Sequence, residues 1–169
     1  MPARLAQPSD LPAIAEIYEH YVTGSVATFE VDPPDAQEWL RRLGTITEVG
    51  LPFLVTERHG AVAGYAYCAP WKARPAYRAT VEDSVYVAPW AVGLGCGTEL
   101  MTALLEACRD VGVREVIAVI ADSGDPASVR LHGRFGFVEA GRLTRVGHKH
   151  GRFVDTILLQ CSLARDASA

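Results

Sequence analysis

The stretch "VGLGCGTELMTALL", residues 92–105, places glycines at the alternate positions Gly93, Gly95 and Gly97 and then takes up an amphipathic helix pattern. A chain that gives up side chains at this spacing brings its backbone close to something. A glycine turn opening into a helix N-terminus is a physical anion trap, because unpaired N–H groups converge there and the helix dipole adds partial positive charge. Just upstream, "TVEDSVYV" alternates as a strand does, with Val81, Asp83, Val85 and Val87 on one face and Thr80, Glu82, Ser84 and Tyr86 on the other. The mostly apolar face belongs against a core. That leaves Glu82 looking across the polar face, a carboxylate able to take up a proton. Asp83 points the opposite way, so the two do not form an acid–base dyad.

Two familiar phosphate binders are excluded by spacing. A P-loop requires a lysine after its last glycine, and none follows here; a dinucleotide fingerprint requires G-x-G-x-x-G, whereas the spacing is G-x-G-x-G. A glycine-rich turn that binds nothing is the remaining alternative. "PWKARPAY" gathers Trp71, Lys72, Arg74 and Tyr77 in one short loop, which suits a small substrate carrying a carboxylate or other anionic group. The same composition also suits an exposed loop with solvated charges. In "GHKHG", His148 and His150 share one strand face, but two histidines without a third ligand do not make a metal site, and no metal is expected.

The elements that must hold these residues read as one domain of 169 residues, with a core over about 3–160 and a fraying tail at 161–169. Hydrophobic residues make up 49% and charged residues 21%, the balance of an ordinary globular protein. The longest apolar run, Val116–Ala121, has six residues and is too short to span a bilayer. No secretory signal is evident, and a net charge of −4 argues against nucleic acid as a partner. The four cysteines fit no zinc spacing and suggest a reducing cytoplasm; Cys96 alone lies where a ligand could touch it.

Ser9 and Asp10 open a first helix with Pro12 in its first turn, and "PPDAQEWLRRL" reads as a second. Residues 52–70 form a hairpin around His59-Gly60, and "ATVEDSVYVAP" is a further strand leading to the helix at about Gly97 to Val111. "REVIAVIA" has the near-continuous apolar character of a strand buried on both faces. A short helix begins at Asp125-Pro126 and stops near Gly133 or Gly136, and "VEAGRLTRVG" and "FVDTILLQC" are the last strands. The architecture expected is α/β (α+β): a central mixed, mostly antiparallel sheet of six to seven strands with helices on both faces.

"TVEDSVYVAPWAVGLGCGTELMTALLEAC" followed by "VIAVIADSGDPASVRLHGRFGFVEAGRL" resembles the GNAT superfamily of acetyl-CoA-dependent N-acetyltransferases. More narrowly, "SVATFE", "PWKARPAY", "TVEDSVYV", "SVRLHGRFGF" and "VGHKHGRFVD", in that order, are similar to the phosphinothricin and methionine sulfoximine acetyltransferases. The resemblance implies acetyl transfer from acetyl-CoA to the α-amine of a small amino-acid analogue, with Glu82 as general base. It implies His132 as the acid that protonates the departing thiolate; a helical histidine held by packing and a hydrogen bond is the alternative. CoA contacts are implied for Val85, Tyr86 and Val87, for Val92, Gly93, Leu94, Gly95, Cys96, Gly97 and Thr98, and for Asp125 and Ser128. Phe29 joins Trp71, Lys72, Arg74 and Tyr77 at the amine substrate. A homodimer meeting through the C-terminal strands is also implied. Two positions depart from the family pattern: Val92 stands where an arginine is usual and Asp125 where an asparagine is usual. A missing charge-assisted contact is worth roughly 1.5–3 kcal/mol. Arg130 is one candidate to replace it. A non-catalytic acyl-CoA sensor and a protein or peptide N-acetyltransferase are the competing functions.

Overall fold

The structure, a computed structural model, describes residues 3–163. The chain runs β1 (Arg4–Leu5), α1 (Leu11–Gly24), α2 (Ala36–Glu48), β2 (Phe53–Arg58), β3 (Ala61–Pro70), β4 (Thr80–Val87), α3 (Cys96–Asp110), β5 (Glu115–Ala121), α4 (Ala127–Gly133), β6 (Val138–Lys149) and β7 (Arg152–Ser162). Seven strands form one sheet in the order β1-β2-β3-β4-β5-β7-β6. Every neighbouring pair is antiparallel except β4 and β5, which run parallel. This is the mixed sheet the sequence leads one to expect.

Local chemistry sets the boundaries. Pro12 occupies the first turn of α1, where a missing N–H costs nothing. Asp10 precedes the helix but does not cap it; its carboxylate turns back to the Arg4 guanidinium, with two contacts of 2.8 Å. At α2 the cap is orthodox, Asp35 accepting the Glu38 amide at 2.8 Å. His59 and Gly60 both take positive φ, 53° and 79°, as the tight β2–β3 hairpin turn demands.

The sheet is covered on both faces. On one, Ile14, Val22 and Trp39 of α1 and α2 pack on Phe53, Val55 and Tyr65 of β2 and β3. On the other, Leu100, Met101 and Leu104 of α3 pack with Val81, Val116 and Ala118. One expectation fails here. β5 is not buried on both faces: Val116, Ala118 and Ile120 turn inward, whereas Val119 is 39% exposed. The cluster under α1 and α2 contains no β5 residue, so that side of β5 is left uncovered. The C-terminal boundary also moves. β7 continues through Cys161 and Ser162, and Leu163 is buried, so 161–163 belong to the fold and not to a fraying tail; 164–169 lie outside the described residues. Among the described residues, no helix is long and apolar enough to cross a membrane.

Candidate active site

The site begins with a gap in the sheet. β4 and β5 pair only at Thr80–Glu115, Val81–Val116 and Glu82–Ile117, and then part. Beyond that point β4 continues to pair with β3 as far as Val87–Gly64, and β5 with β7 as far as Ala121–Thr156. Each strand therefore keeps one edge satisfied and leaves the other open along the gap. The Ala88 amide donates to Ala63 at 2.8 Å, so even-numbered residues of β4 turn their backbone groups toward β3. Val85 and Val87 turn theirs into the gap. The Tyr86 amide faces β3 instead, which removes it from the set of backbone ligands expected there. The Val87 carbonyl is already taken by the Tyr21 hydroxyl, which donates at 2.6 Å.

At the top of the gap lies the glycine turn. Gly93 and Gly95 have φ of 85° and 78°, a conformation that disfavours any side chain, and a Cβ at either would meet nothing within 4 Å. The Leu94 amide is engaged, donating to Ala91 at 3.2 Å. Glu99 donates to Gly95 at 3.1 Å at the start of α3, so the amides of Gly95, Cys96, Gly97 and Thr98 precede the helical ladder and are free for an anion. Gly97 packs closely, since a Cβ there would come within 3.1 Å of the Leu131 side chain, which would have to shift. The Cys96 thiol is 1% exposed and packs with the α1–α2 cluster, so a ligand at the loop meets its backbone and not its sulfur. Val92 and Leu94 are exposed, at 66% and 47%.

Across the gap, Asp125 accepts the Ala127 amide at 2.9 Å, acting as a turn cap at the start of α4. Ser128 is half-buried beside it, and Arg130 is exposed with no side-chain partner among the described residues. Donor geometry of this kind, free amides at a helix N-terminus above an open strand edge, fits a long anionic ligand with amide groups of its own.

Glu82 stands where the two strands part. It is half-buried and makes no side-chain hydrogen bond among the described residues. Burial pushes its carboxyl pKa up, the neighbouring Asp83 adds to that, and Lys72 opposes it. On the same face a wall of tyrosines continues the surface. Tyr86 stacks on Tyr65 with centroids 5.5 Å apart and receives Tyr18 edge-on at 5.0 Å. The Tyr18 hydroxyl shares a 2.7 Å hydrogen bond with Thr28, and burial raises its pKa to about 12. Burial likewise raises Tyr67, with Glu30 and Glu82 both close enough to add to the effect. Tyr18, Thr28, Glu30 and Tyr67 were not picked out from the sequence. Tyr67 was within reach, because it shares a face with Tyr65 and pairs with Ser84 in register.

The substrate residues expected from resemblance scatter in their surroundings. Lys72 lies over the Trp71 ring at 4.5 Å and is near enough to favour Glu82 in its charged form. Arg74 and Tyr77 are exposed and make no side-chain hydrogen bond among the described residues. Phe29 lays its ring against Gly147, where a Cβ would overlap it. Lys149 is buried beneath and donates to the Thr28 carbonyl at 2.8 Å.

His132 is placed differently from a group poised to meet a thiolate. It is 4% exposed; Nδ1–H donates to the Ser128 carbonyl at 2.7 Å and Nε2–H to Asp83 at 2.9 Å. Burial opposes its protonation, but the Asp83 carboxylate outweighs this and the imidazole pKa is raised. Both nitrogens are occupied, which is the arrangement of the alternative reading. His148 packs against Phe153 with the rings tilted, while His150 lies in the following turn, so the two do not share a strand face. Among the described residues no three metal-binding side chains gather.

The profile of the Acetyltransferase (GNAT) family matches residues 14–137, which contain the glycine turn and Glu82. The chain belongs to the GNAT acetyltransferase family. It is 47% identical to a phosphinothricin N-acetyltransferase of Alcaligenes faecalis over 157 residues, covering 93% of this chain and 80% of that one. It is 36% identical to an L-methionine sulfoximine/L-methionine sulfone acetyltransferase of Salmonella typhimurium, covering 99% and 98%. In structure it superposes on a GNAT phosphinothricin acetyltransferase of Sinorhizobium meliloti, determined with acetyl-CoA, with a TM-score of 0.92 and 41% identity over 99% of this chain and 90% of that one. This chain is therefore an N-acetyltransferase that uses acetyl-CoA, similar to the phosphinothricin and methionine sulfoximine enzymes.

Proposed function

We propose that the chain acetylates the α-amine of a small amino-acid analogue of the phosphinothricin, methionine sulfoximine or methionine sulfone type, with Glu82 as general base. The observation that carries this reading is Glu82 itself, half-buried, without a partner and at the point where β4 leaves β5. An aliphatic amine is protonated near neutral pH and cannot attack a thioester. A carboxylate whose pKa is raised toward working pH accepts that proton better than an ordinary one. The freed amine attacks the thioester carbonyl directly, and a gap-facing amide of β4 steadies the developing oxyanion. Acetyl-CoA supplies the acyl group, its pyrophosphate held by the amides of Gly95–Thr98. A thiol with a reference pKa near 8.5 leaves acceptably as the thiolate and takes up the proton that the acylated nitrogen sheds, so the mechanism needs no dedicated acid. His132 instead fixes α4 to β4. Lys72 and the Trp71 ring beside it offer a cation and an aromatic surface near Glu82, which favours a small anionic amino-acid analogue over a peptide.

The test is CoA thiol release by wild type and Glu82→Gln across phosphinothricin, methionine sulfone, methionine sulfoximine, ordinary amino acids and short peptides. Turnover of an analogue that disappears in Glu82→Gln while acetyl-CoA still binds is the expected result. Faster turnover of peptides would overturn the substrate class. We further propose a homodimer through the sheet edge at β6, where Val138, Leu143 and Val146 lie exposed at 66%, 47% and 56%. Sedimentation equilibrium at the mass of a single 18.2 kDa chain would refute it.

A further inference from the structure

The glycine turn lacks a cation of its own, yet an arginine reaches it from another strand. Near the end of the β2–β3 pairing the register shifts between Thr56 and Glu57, which oppose Gly64 and Val62 and leave Ala63 of β3 as the extra residue. Arg58, just past it, extends under the turn: Nη2 donates to Glu99 at 2.7 Å and, more weakly, to the Leu94 carbonyl at 3.4 Å. Nη1 donates to the Glu57 carbonyl at 2.7 Å and to Thr56 at 3.1 Å, and the Thr56 hydroxyl donates to the other oxygen of Glu99. Glu99 lies in the first turn of α3. Its side chain is 25% exposed and that of Arg58 21%, so neither is screened as a fully solvated ion would be. Burial opposes ionisation of Glu99, but the bonds from Arg58 and Thr56 outweigh it and hold the carboxyl ionised below the usual range.

A carboxylate in the first turn favours an isolated helix. Beside a bound pyrophosphate it is a repulsive neighbour. We propose that Arg58 is a positioning residue for acetyl-CoA, cancelling the Glu99 charge beneath the phosphate cradle and bracing the Leu94 carbonyl. The proposal rests on reading the glycine turn as the CoA cradle.

Calorimetric titration with CoA, without amine, tests it on Arg58→Met, Glu99→Gln, the double variant and Gly93→Val. Arg58→Met leaves Glu99 uncompensated and is expected to weaken CoA about tenfold at low salt, the deficit shrinking as salt rises. Glu99→Gln alone keeps wild-type affinity or tightens it, and the double variant returns to within about threefold of wild type. That rescue separates charge from simple loss of structure, which removing a second partner would deepen. Wild-type affinity in Arg58→Met, or a double variant as weak as Arg58→Met, overturns the proposal. Gly93→Val puts a side chain in front of the cradle. If it weakens CoA while Arg58→Met does not, only the role of Arg58 falls; if it changes nothing, the cradle reading falls with it.

Discussion

Glu82 and Asp83 are neighbours in one strand, chemically alike, and the fold treats them oppositely. Glu82 faces the tyrosine wall, half-buried and without a hydrogen-bonding partner among the described residues. The Asp83 side chain is fully buried on the other face and held by His132 at 2.9 Å. What stands across from a carboxylate decides its use. One is left without a partner where the strands part, and the other is consumed in joining α4 to the sheet.

The largest effect that sharpens this contrast is on turnover. Glu82→Gln removes the proton acceptor and is expected to lower kcat by about 10²–10⁴-fold with little change in melting temperature; an unchanged kcat would break the contrast at once. Asp83→Asn is expected to do the reverse. It leaves a buried imidazole without its counter-charge, at a cost of about 3–5 kcal/mol in urea unfolding. That cost depends on pH. The folded-state pKa of His132 is raised above its unfolded value, so the pair stabilises fully below about pH 6.5 and its contribution disappears as pH climbs through the folded pKa. The gap between wild type and Asp83→Asn is therefore wider at mildly acidic than at alkaline pH; equal gaps would contradict the ion pair. The smallest effect concerns Lys72, which holds the Glu82 pKa down against burial and Asp83. Lys72→Met is expected to move the acidic limb of the kcat/KM profile to higher pH. A limb that stays in place would show that Lys72 does not act on the base.

Much of the Glu82 side of this contrast is legible in the chain, and little of the Asp83 side. Alternation through Thr80–Val87 assigns each residue to a face, because a strand has a period of two whatever surrounds it. The glycine turn is legible for a similar reason, since positive φ at Gly93 and Gly95 is a local requirement. The partner of Asp83 is 49 residues away, and nothing in "SVRLH" shows that its histidine turns inward. Arg58 escaped notice for the same reason: its reach to Glu99 spans 41 residues, and nothing in "VTER" announces it. β5 misled in another manner. Its apolar run is genuine, but α1 and α2 cover only the neighbouring part of the sheet, and a sequence pattern cannot say where a covering layer ends.

The parting of β4 from β5 also makes the sheet a jointed body. Three residue pairs, Thr80–Glu115 to Glu82–Ile117, are the whole strand-to-strand seam between a four-stranded leaf and a three-stranded one. Past them the facing amides have no strand across from them and should exchange with solvent readily. A ligand laid along the gap would act as a missing eighth strand, so saturating acetyl-CoA is expected to slow exchange on both open edges together. In that sense acetyl-CoA laid along the gap would be a temporary part of the fold as well as the acyl donor.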